Sequence, residues 1–307
     1  MIKKTILIFV FIVLGNINAQ NVEVIETKLV QLEKDKEAFY PRFANNDDNI
    51  LYTSSNYIGL FSYNLVSGTS KTITEKKGAG YNPIILSDNV IYRSFVIETG
   101  KKNHSISSAN IISGEKEVLV SNKRHLKLPS QLYNEEILFI EKSKPLYKEI
   151  NSITLKKSNL PNKAVYVEND NLLLVDETVN TINPLGKGIY VWESISRDGS
   201  KLLFTFENKG AFITDLEGNI ITNIKDAHYP RFSPNGKFIS YMVDIDDRYN
   251  YISSDIYVYS IDLEQSFKIT NTNDKIEMYA EWSNSGDKLI YHTTEGELYI
   301  STLLTEN

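Results

Sequence analysis

Apolar and polar positions along this chain repeat in a short frame. In Tyr229-Pro-Arg-Phe-Ser-Pro-Asn-Gly-Lys-Phe-Ile-Ser-Tyr241 an extended segment with alternate apolar positions enters a Ser-Pro-Asn-Gly turn and leaves it as a near-continuous apolar run. Tyr279-Ala-Glu-Trp-Ser-Asn-Ser-Gly-Asp-Lys-Leu-Ile-Tyr291 repeats the frame with one compensating shift after the glycine. Tyr40 to Tyr52 and Trp192 to Phe204 fit it too, each with one aromatic first and another 12 positions later. Two weaker copies, one residue shorter, start at Tyr81 and Leu128. Alternation at period 2 predicts a strand, and Asn or Asp followed by Gly predicts a tight hairpin because these residues tolerate positive φ.

Each copy continues through a variable loop into a third strand, such as Leu60 to Leu65, Ala211 to Leu216 or Ile256 to Ile261. A second turn, Ser67-Gly68 or Glu217-Gly218, feeds a short fourth strand. Four antiparallel strands recurring at about 40 to 50 residues are the signature of a β-propeller blade. The fold class read here is all-β: a six-bladed β-propeller of four-stranded antiparallel blades. Residues 20–307 form its single domain. Copy starts at 40, 81, 128, 192, 229 and 279 leave one long interval, from 128 to 192. The lysine-rich stretch 143–163 reads either as an insertion in the third blade, with the strands from Ala164 to Pro184 as that blade's outer part, or as a degenerate seventh blade. The last copy lacks a fourth strand, and Val22 to Leu32 precedes the first copy as an orphan strand. Pairing that strand into the last blade closes the ring and removes exposed sheet edges.

The N-terminus reads as a leader. Lys3 and Lys4, an apolar run from Thr5 to Leu14 and the small-residue end at Ala19 form a secretory signal over residues 1–19. The run is too short for the roughly 20 residues of a membrane helix, so a periplasmic or extracellular protein without a transmembrane anchor is expected. Its loss removes two lysines, leaving 31 Lys and Arg against 39 Asp and Glu, a net charge of −8 instead of −6. Such an acidic chain without a basic tract is not suited to nucleic acid. With no Cys in the chain, disulfides, thiolate metal sites, thiol catalysis and lipid attachment at cysteine are all excluded.

Tyr229 to Tyr241 followed by Ser254 to Tyr259, and Trp282 to Gly286 followed by Glu297 to Ile300, resemble the propeller repeat of the TolB family, whose blades carry an aromatic, a Ser-Pro-Asp-Gly turn, a lysine and an Ile-Tyr strand. The resemblance covers most of the chain as architecture and implies blades, not chemistry. Only about 20 residues separate the leader from the first copy, so the α/β domain that precedes the TolB propeller is not expected here.

Motifs for chemistry are sparse. The chain has no Gly-x-Ser-x-Gly elbow, no His-Glu-x-x-His and no phosphate-binding Gly-rich loop. No cofactor follows from the motifs. The acidic loop with Asp244, Asp246 and Asp247 offers oxygens for Ca²⁺, but Arg248 stands where an EF-hand needs a ligand and the glycine is missing. Polar positions two residues after the frame's first aromatic, Arg42, Ser194, Arg231 and Glu281, share its side of the inner strand by period 2. Arg42, Trp192, Glu193, Tyr229, Arg231, Tyr279 and Glu281 are therefore the ligand-binding candidates at the channel mouth, a setting for a peptide or glycan segment. The competing role for the charged members is an inter-blade ion network with the tyrosines as packing. The function expected is a monomeric, non-enzymatic scaffold for a protein or envelope polymer. The alternative is a propeller lyase or glycoside hydrolase, for which carboxylates or a pair such as His228 and His292 at the channel would supply the minimum chemistry.

Overall fold

The computed structural model describes residues 22–305 apart from 34–35, 45, 87, 129–131, 134–135, 150–162 and 177. The leader read at 1–19 lies outside the described residues. No helix among them is long and apolar enough to cross a membrane.

The described residues form antiparallel strands in seven sheets, here blades 1 to 7. Strand β1 (Val22–Leu29) precedes the first copy of the frame. Blade 1 holds β2 (Phe39–Phe43), β3 (Asn49–Ser54), β4 (Ile58–Asn64) and β5 (Thr69–Lys77), and blade 2 holds β6 (Ile84–Leu86), β7 (Asn89–Glu98), β8 (Lys101–Asn110) and β9 (Lys116–Lys123). In blade 3, β10 (Leu126–Lys127) and β11 (Leu132–Tyr133) share β12 (Glu136–Glu141), whose other edge takes β13 (Lys144–Glu149). Blade 4 shows three strands, β14 (Ala164–Glu168), β15 (Asn171–Asp176) and β16 (Thr178–Thr181). Blade 5 comprises β17 (Tyr190–Ile195), β18 (Leu202–Phe206), β19 (Ala211–Thr214) and β20 (Ile220–Ile224), and blade 6 comprises β21 (His228–Phe232), β22 (Phe238–Asp246), β23 (Tyr251–Ser260) and β24 (Gln265–Lys268). Blade 7 has β25 (Glu277–Trp282), β26 (Lys288–Thr293) and β27 (Leu298–Thr305), with β1 alongside β27, from Val22 opposite Thr305 to Leu29 opposite Tyr299.

The count of six blades is corrected to seven. Blade 3 takes its third strand from Lys144–Glu149, inside the stretch read as an insertion, so Ala164 to Thr181 is not needed there and stands as a sheet of its own. Period-2 alternation gives that sheet two apolar faces. Ala164, Tyr166 and Val175 pack with Leu138 and Ile140 of blade 3, while Val165, Leu172 and Leu174 pack with Tyr190, Leu202 and Phe204 of blade 5.

The hairpins after the inner strands of blades 5, 6 and 7 show what the frame's serine and glycine do. Gly199, Gly236 and Gly286 take φ of 71°, 70° and 79°. Each donates its N–H to the carbonyl of Ser196, Ser233 or Ser283 at 2.8, 2.9 and 3.1 Å. The three serine hydroxyls accept the backbone N–H groups of Lys201, Phe238 and Lys288 at 2.9, 3.0 and 2.9 Å. Asn235 does not adopt positive φ; its side-chain oxygen instead accepts the Lys237 N–H at 3.1 Å. The blade 7 hairpin also docks on that of blade 1, where Asp47 accepts the N–H groups of Asn284 and Ser285 at 2.8 and 2.9 Å.

Candidate ligand-binding channel

The inner strands converge on a cavity of about 560 Å³, and its rim is set by a backbone irregularity that recurs four times. Pairing of β2 with β3 skips from Phe39 opposite Thr53 to Arg42 opposite Leu51, so Tyr40 and Pro41 face Tyr52 alone. The same two-against-one bulge sets Trp192 and Glu193 against Phe204, Tyr229 and Pro230 against Tyr241, and Tyr279 and Ala280 against Tyr291. The two aromatics of the frame are thus the first bulge residue and the residue that faces the bulge. Tyr40, Trp192, Tyr229 and Tyr279 carry φ of 51°, 55°, 50° and 57°. Left-handed backbone at a bulky residue costs on the order of 1 to 3 kcal/mol and persists where surrounding contacts impose it. Three of the four rings re-aimed by the bulges, Tyr40, Trp192 and Tyr229, line the cavity.

Those rings touch in sequence around the channel. Trp192 meets Tyr229 edge-on at 5.9 Å between centroids, Tyr229 meets Tyr279 at 4.8 Å, and Tyr279 meets Tyr40 at 4.7 Å. Tyr40 stacks on Tyr57 at 4.3 Å, and Tyr57 meets Tyr81 at 5.1 Å. The arc spans blades 5, 6, 7 and 1 and ends on the connection into blade 2.

One carboxylate binds three groups beside the arc. Oε1 of Glu281 accepts Nε of Arg231 at 2.9 Å and the Tyr229 hydroxyl at 2.7 Å, and lies 3.3 Å from Nη2 of Arg42. Burial pushes the Glu281 carboxyl up, but Arg42 and Arg231 outweigh it and hold the group below its ordinary range. The Arg231 guanidinium also sits 3.7 Å from the centre of the Tyr229 ring. The charged candidates therefore satisfy one another across blades 1, 6 and 7, as the ion-network role requires.

Arg42, Trp192, Glu193, Tyr229, Arg231 and Glu281 all line the cavity. Tyr279 lies behind the lining, with its ring parallel to that of buried His292 at 5.4 Å. Glu193, the second residue of its bulge, stands apart from the ion network. Burial raises its carboxyl above the ordinary range against the opposing pull of Arg231 and Lys127. Tyr57, Tyr81, Arg93 and Lys127 also line the cavity and escaped sequence analysis, because they occupy loops or lie outside the frame. Only Tyr81, the first residue of a short copy, carried a signal.

The acidic loop does not converge. Asp244 faces the His228 ring, with 2.5 Å between its Oδ1 and Nδ1. Asp246 and Asp247 accept backbone N–H groups of Arg248, Tyr249 and Asn250 in the turn itself. Among the described residues no group of three or more metal-binding side chains is close enough to hold an ion. His292 is enclosed by Phe39, Tyr40 and Tyr279, whereas His228 neighbours Trp192.

No protein-family model matches this sequence. No curated protein matches it either. Among solved structures, the β-propeller domain of Cps50 (Swd1) from Myceliophteria thermophila superposes with a TM-score of 0.59 at 12% identity, covering 91% of this chain and 100% of that one. An oligogalacturonate lyase from Vibrio parahaemolyticus gives 0.49 at 14% identity over 89% of this chain and 79% of its own. TolB from Acinetobacter baumannii gives 0.42 at 14% identity over 88% and 55%. The first of these likenesses shows the propeller fold, and nothing beyond the fold follows from them.

Proposed function

We propose that the chain is a non-enzymatic binding scaffold of the periplasm or cell exterior, whose channel mouth holds a segment of a protein partner. The arc of rings from Trp192 to Tyr81 carries this proposal: it offers rigid amphipathic contact surface at small entropy cost. Beside it Glu281, Arg42 and Arg231 engage one another instead of standing open for a reaction. The rings meet at interplanar angles of 63° to 87° at four contacts, Trp192–Tyr229, Tyr229–Tyr279, Tyr279–Tyr40 and Tyr57–Tyr81. Such a corrugated rim receives side chains better than the flat face of a sugar. The pairing of β1 with β27 is then the closure that keeps the ring rigid. Crosslinked pull-down from a cell-envelope extract tests the proposal. The wild-type chain captures a partner, and a Trp192→Ala, Tyr57→Ala variant with unchanged circular dichroism does not; equal capture by both overturns it.

A glycan-cleaving role has one specific observation in its favour. Glu193 is pushed up while Glu281 is held down, and carboxylates with separated pKa values divide acid and base roles in glycosidases. Turnover of any acidic or neutral oligosaccharide that disappears in Glu193→Gln would establish that role.

A further inference from the structure

A second cavity of about 490 Å³ adjoins the channel and shares Arg93 and Lys127 with it. Its described lining brings together Arg93, Arg124, Lys127 and Lys142 from blades 2 and 3 with one carboxylate, Glu168 of blade 4. Lys127 takes that carboxylate at 3.4 Å and donates to the Val167 carbonyl at 2.6 Å. Arg93 donates Nη1 to the Leu126 carbonyl at 2.8 Å and sits 5.8 Å from the centre of the Tyr81 ring. Among the described residues, Arg93, Arg124 and Lys142 have no carboxylate partner. An acidic chain of net charge −6 thus gathers three uncompensated cations in one concavity.

A half-buried imidazole in the same cavity is disfavoured in its charged form, mainly by burial and secondarily by Arg93. His104 lines the same cavity, and its buried Nδ1 has no hydrogen-bond partner. Burial, followed by the charges of Arg93, Lys102 and His125, pulls its imidazole down to about 4. A half-buried guanidinium without a counter-ion is unfavourable, and an anion entering the cavity removes that cost while gaining charge-assisted, bidentate hydrogen bonds.

We infer that this basic cavity is an oxyanion subsite, and that the segment held on the aromatic arc is an acidic peptide whose carboxylates enter it past Tyr81. The inference rests on the scaffold function above and adds the chemistry of the partner. Continuity supports it: the last ring of the arc, Tyr81, is the one that Arg93 overlies, so a chain laid along the rings reaches the cations directly.

Titration with dye-labelled hexaglutamate at low salt tests it, with hexalysine as control and Trp192 fluorescence as a second reporter. Saturable binding is expected for hexaglutamate alone, weakened steeply by added salt. Arg93→Gln and the pair Arg124→Gln, Lys142→Gln should each reduce affinity roughly tenfold or more. Because Arg93 also ties blade 2 to Leu126, the exposed pair provides the test that does not depend on folding. In the NMR spectrum the His104 titration should move upward when peptide is added. Absence of saturable binding, or equal affinity in the double variant, overturns the inference. Inorganic phosphate binding as tightly as the peptide overturns the peptide assignment. If envelope capture still depends on Trp192 and Tyr57 while hexaglutamate fails, the subsite is wrong and the scaffold survives. Loss of both dependences removes the scaffold as well.

Discussion

The guanidinium of Arg42, on the innermost strand of blade 1, lies 3.3 Å from the carboxylate of Glu281 on the innermost strand of blade 7. Because Arg231 of blade 6 takes the same oxygen, one anion compensates two cations across three blades. The three side chains are only 16 to 17% exposed, so removing the anion leaves two poorly solvated charges facing each other. Glu281→Gln should therefore cost about 3 to 5 kcal/mol, and Glu281→Lys more. Arg42→Gln should cost less, since Arg231 still engages Glu281. Urea unfolding midpoints check the order, and a Glu281→Gln variant within about 1 kcal/mol of the parent would show the network to be energetically idle.

The four bulges make an unusual demand on substitution. In a strand interior glycine is worse than alanine by roughly 0.5 to 1 kcal/mol. At Trp192 and Tyr279, with φ of 55° and 57°, the left-handed backbone reverses the preference. Both truncations lose the ring, so the comparison isolates the backbone. Trp192→Gly should exceed Trp192→Ala in stability by about 1 kcal/mol, and Tyr279→Gly should likewise exceed Tyr279→Ala. At Tyr291, opposite the same bulge and outside the left-handed region, alanine should win. Paired chemical denaturation decides it; alanine at or above glycine at both bulge sites would remove the strain.

How much of this was legible depended on which residues carried a local signal. The hairpins were readable because Ser233 and Gly236 have fixed backbone tasks. The 12-residue spacing was visible too, but its cause was not: it includes the extra bulge residue, and the shorter copy at Tyr81 pairs β6 with β7 without any shift. The bulge also undermines the period-2 argument that joined each aromatic to the polar residue after it, although Tyr40, Arg42, Tyr229 and Arg231 do all line the cavity. The strands of blade 4 were read but assigned to the third blade, because Ala164, Val165, Leu172 and Leu174 bury both faces of a sheet that lacks the aromatic-turn-aromatic frame and its Ser-x-x-Gly turn. Arg93 carried no signal at all. It sits in the middle of β7, and only the approach of Tyr81 and Lys127 from other segments makes it part of a site.

His228 and Asp244 form a pH-dependent tie at blade 6. The bond from the Asp244 carboxylate, itself only 4% exposed, is the largest of the influences that raise the imidazole above its ordinary value of 6.5. A raised folded value means that the pair contributes fully below about pH 6.5 and loses its contribution as pH rises through the folded value. Asp244→Asn should thus destabilise the protein more at about pH 5.5 than at about pH 9. The His228 proton resonances should titrate above 6.5 in the parent and at or below it in the variant. Equal destabilisation at both pH values would rule the tie out.

His292 works in the opposite direction. It is 3% exposed among Phe39, Tyr40 and Tyr279, donates through Nδ1 to the Thr293 carbonyl at 2.8 Å and leaves Nε2 buried without a partner. Burial lowers its imidazole to about 4. Since the unfolded chain takes up a proton near pH 6.5 and the folded chain does not, stability falls as pH drops from about 6.5 toward 4, by an amount on the order of 3 kcal/mol. His292→Phe keeps a ring of similar size in the stack and removes both the titration and the orphaned nitrogen. At neutral pH the lost bond to Thr293 should leave the variant slightly less stable, by about 1 kcal/mol. Near pH 4.5 it should be the more stable protein. His104 shifts in the same direction, so the parent and the variant both lose stability in acid, and the informative quantity is the difference of one proton between their slopes. Urea midpoints measured from pH 7.5 to 4.5 give that difference, and parallel pH profiles would show that His292 is protonated in the folded protein.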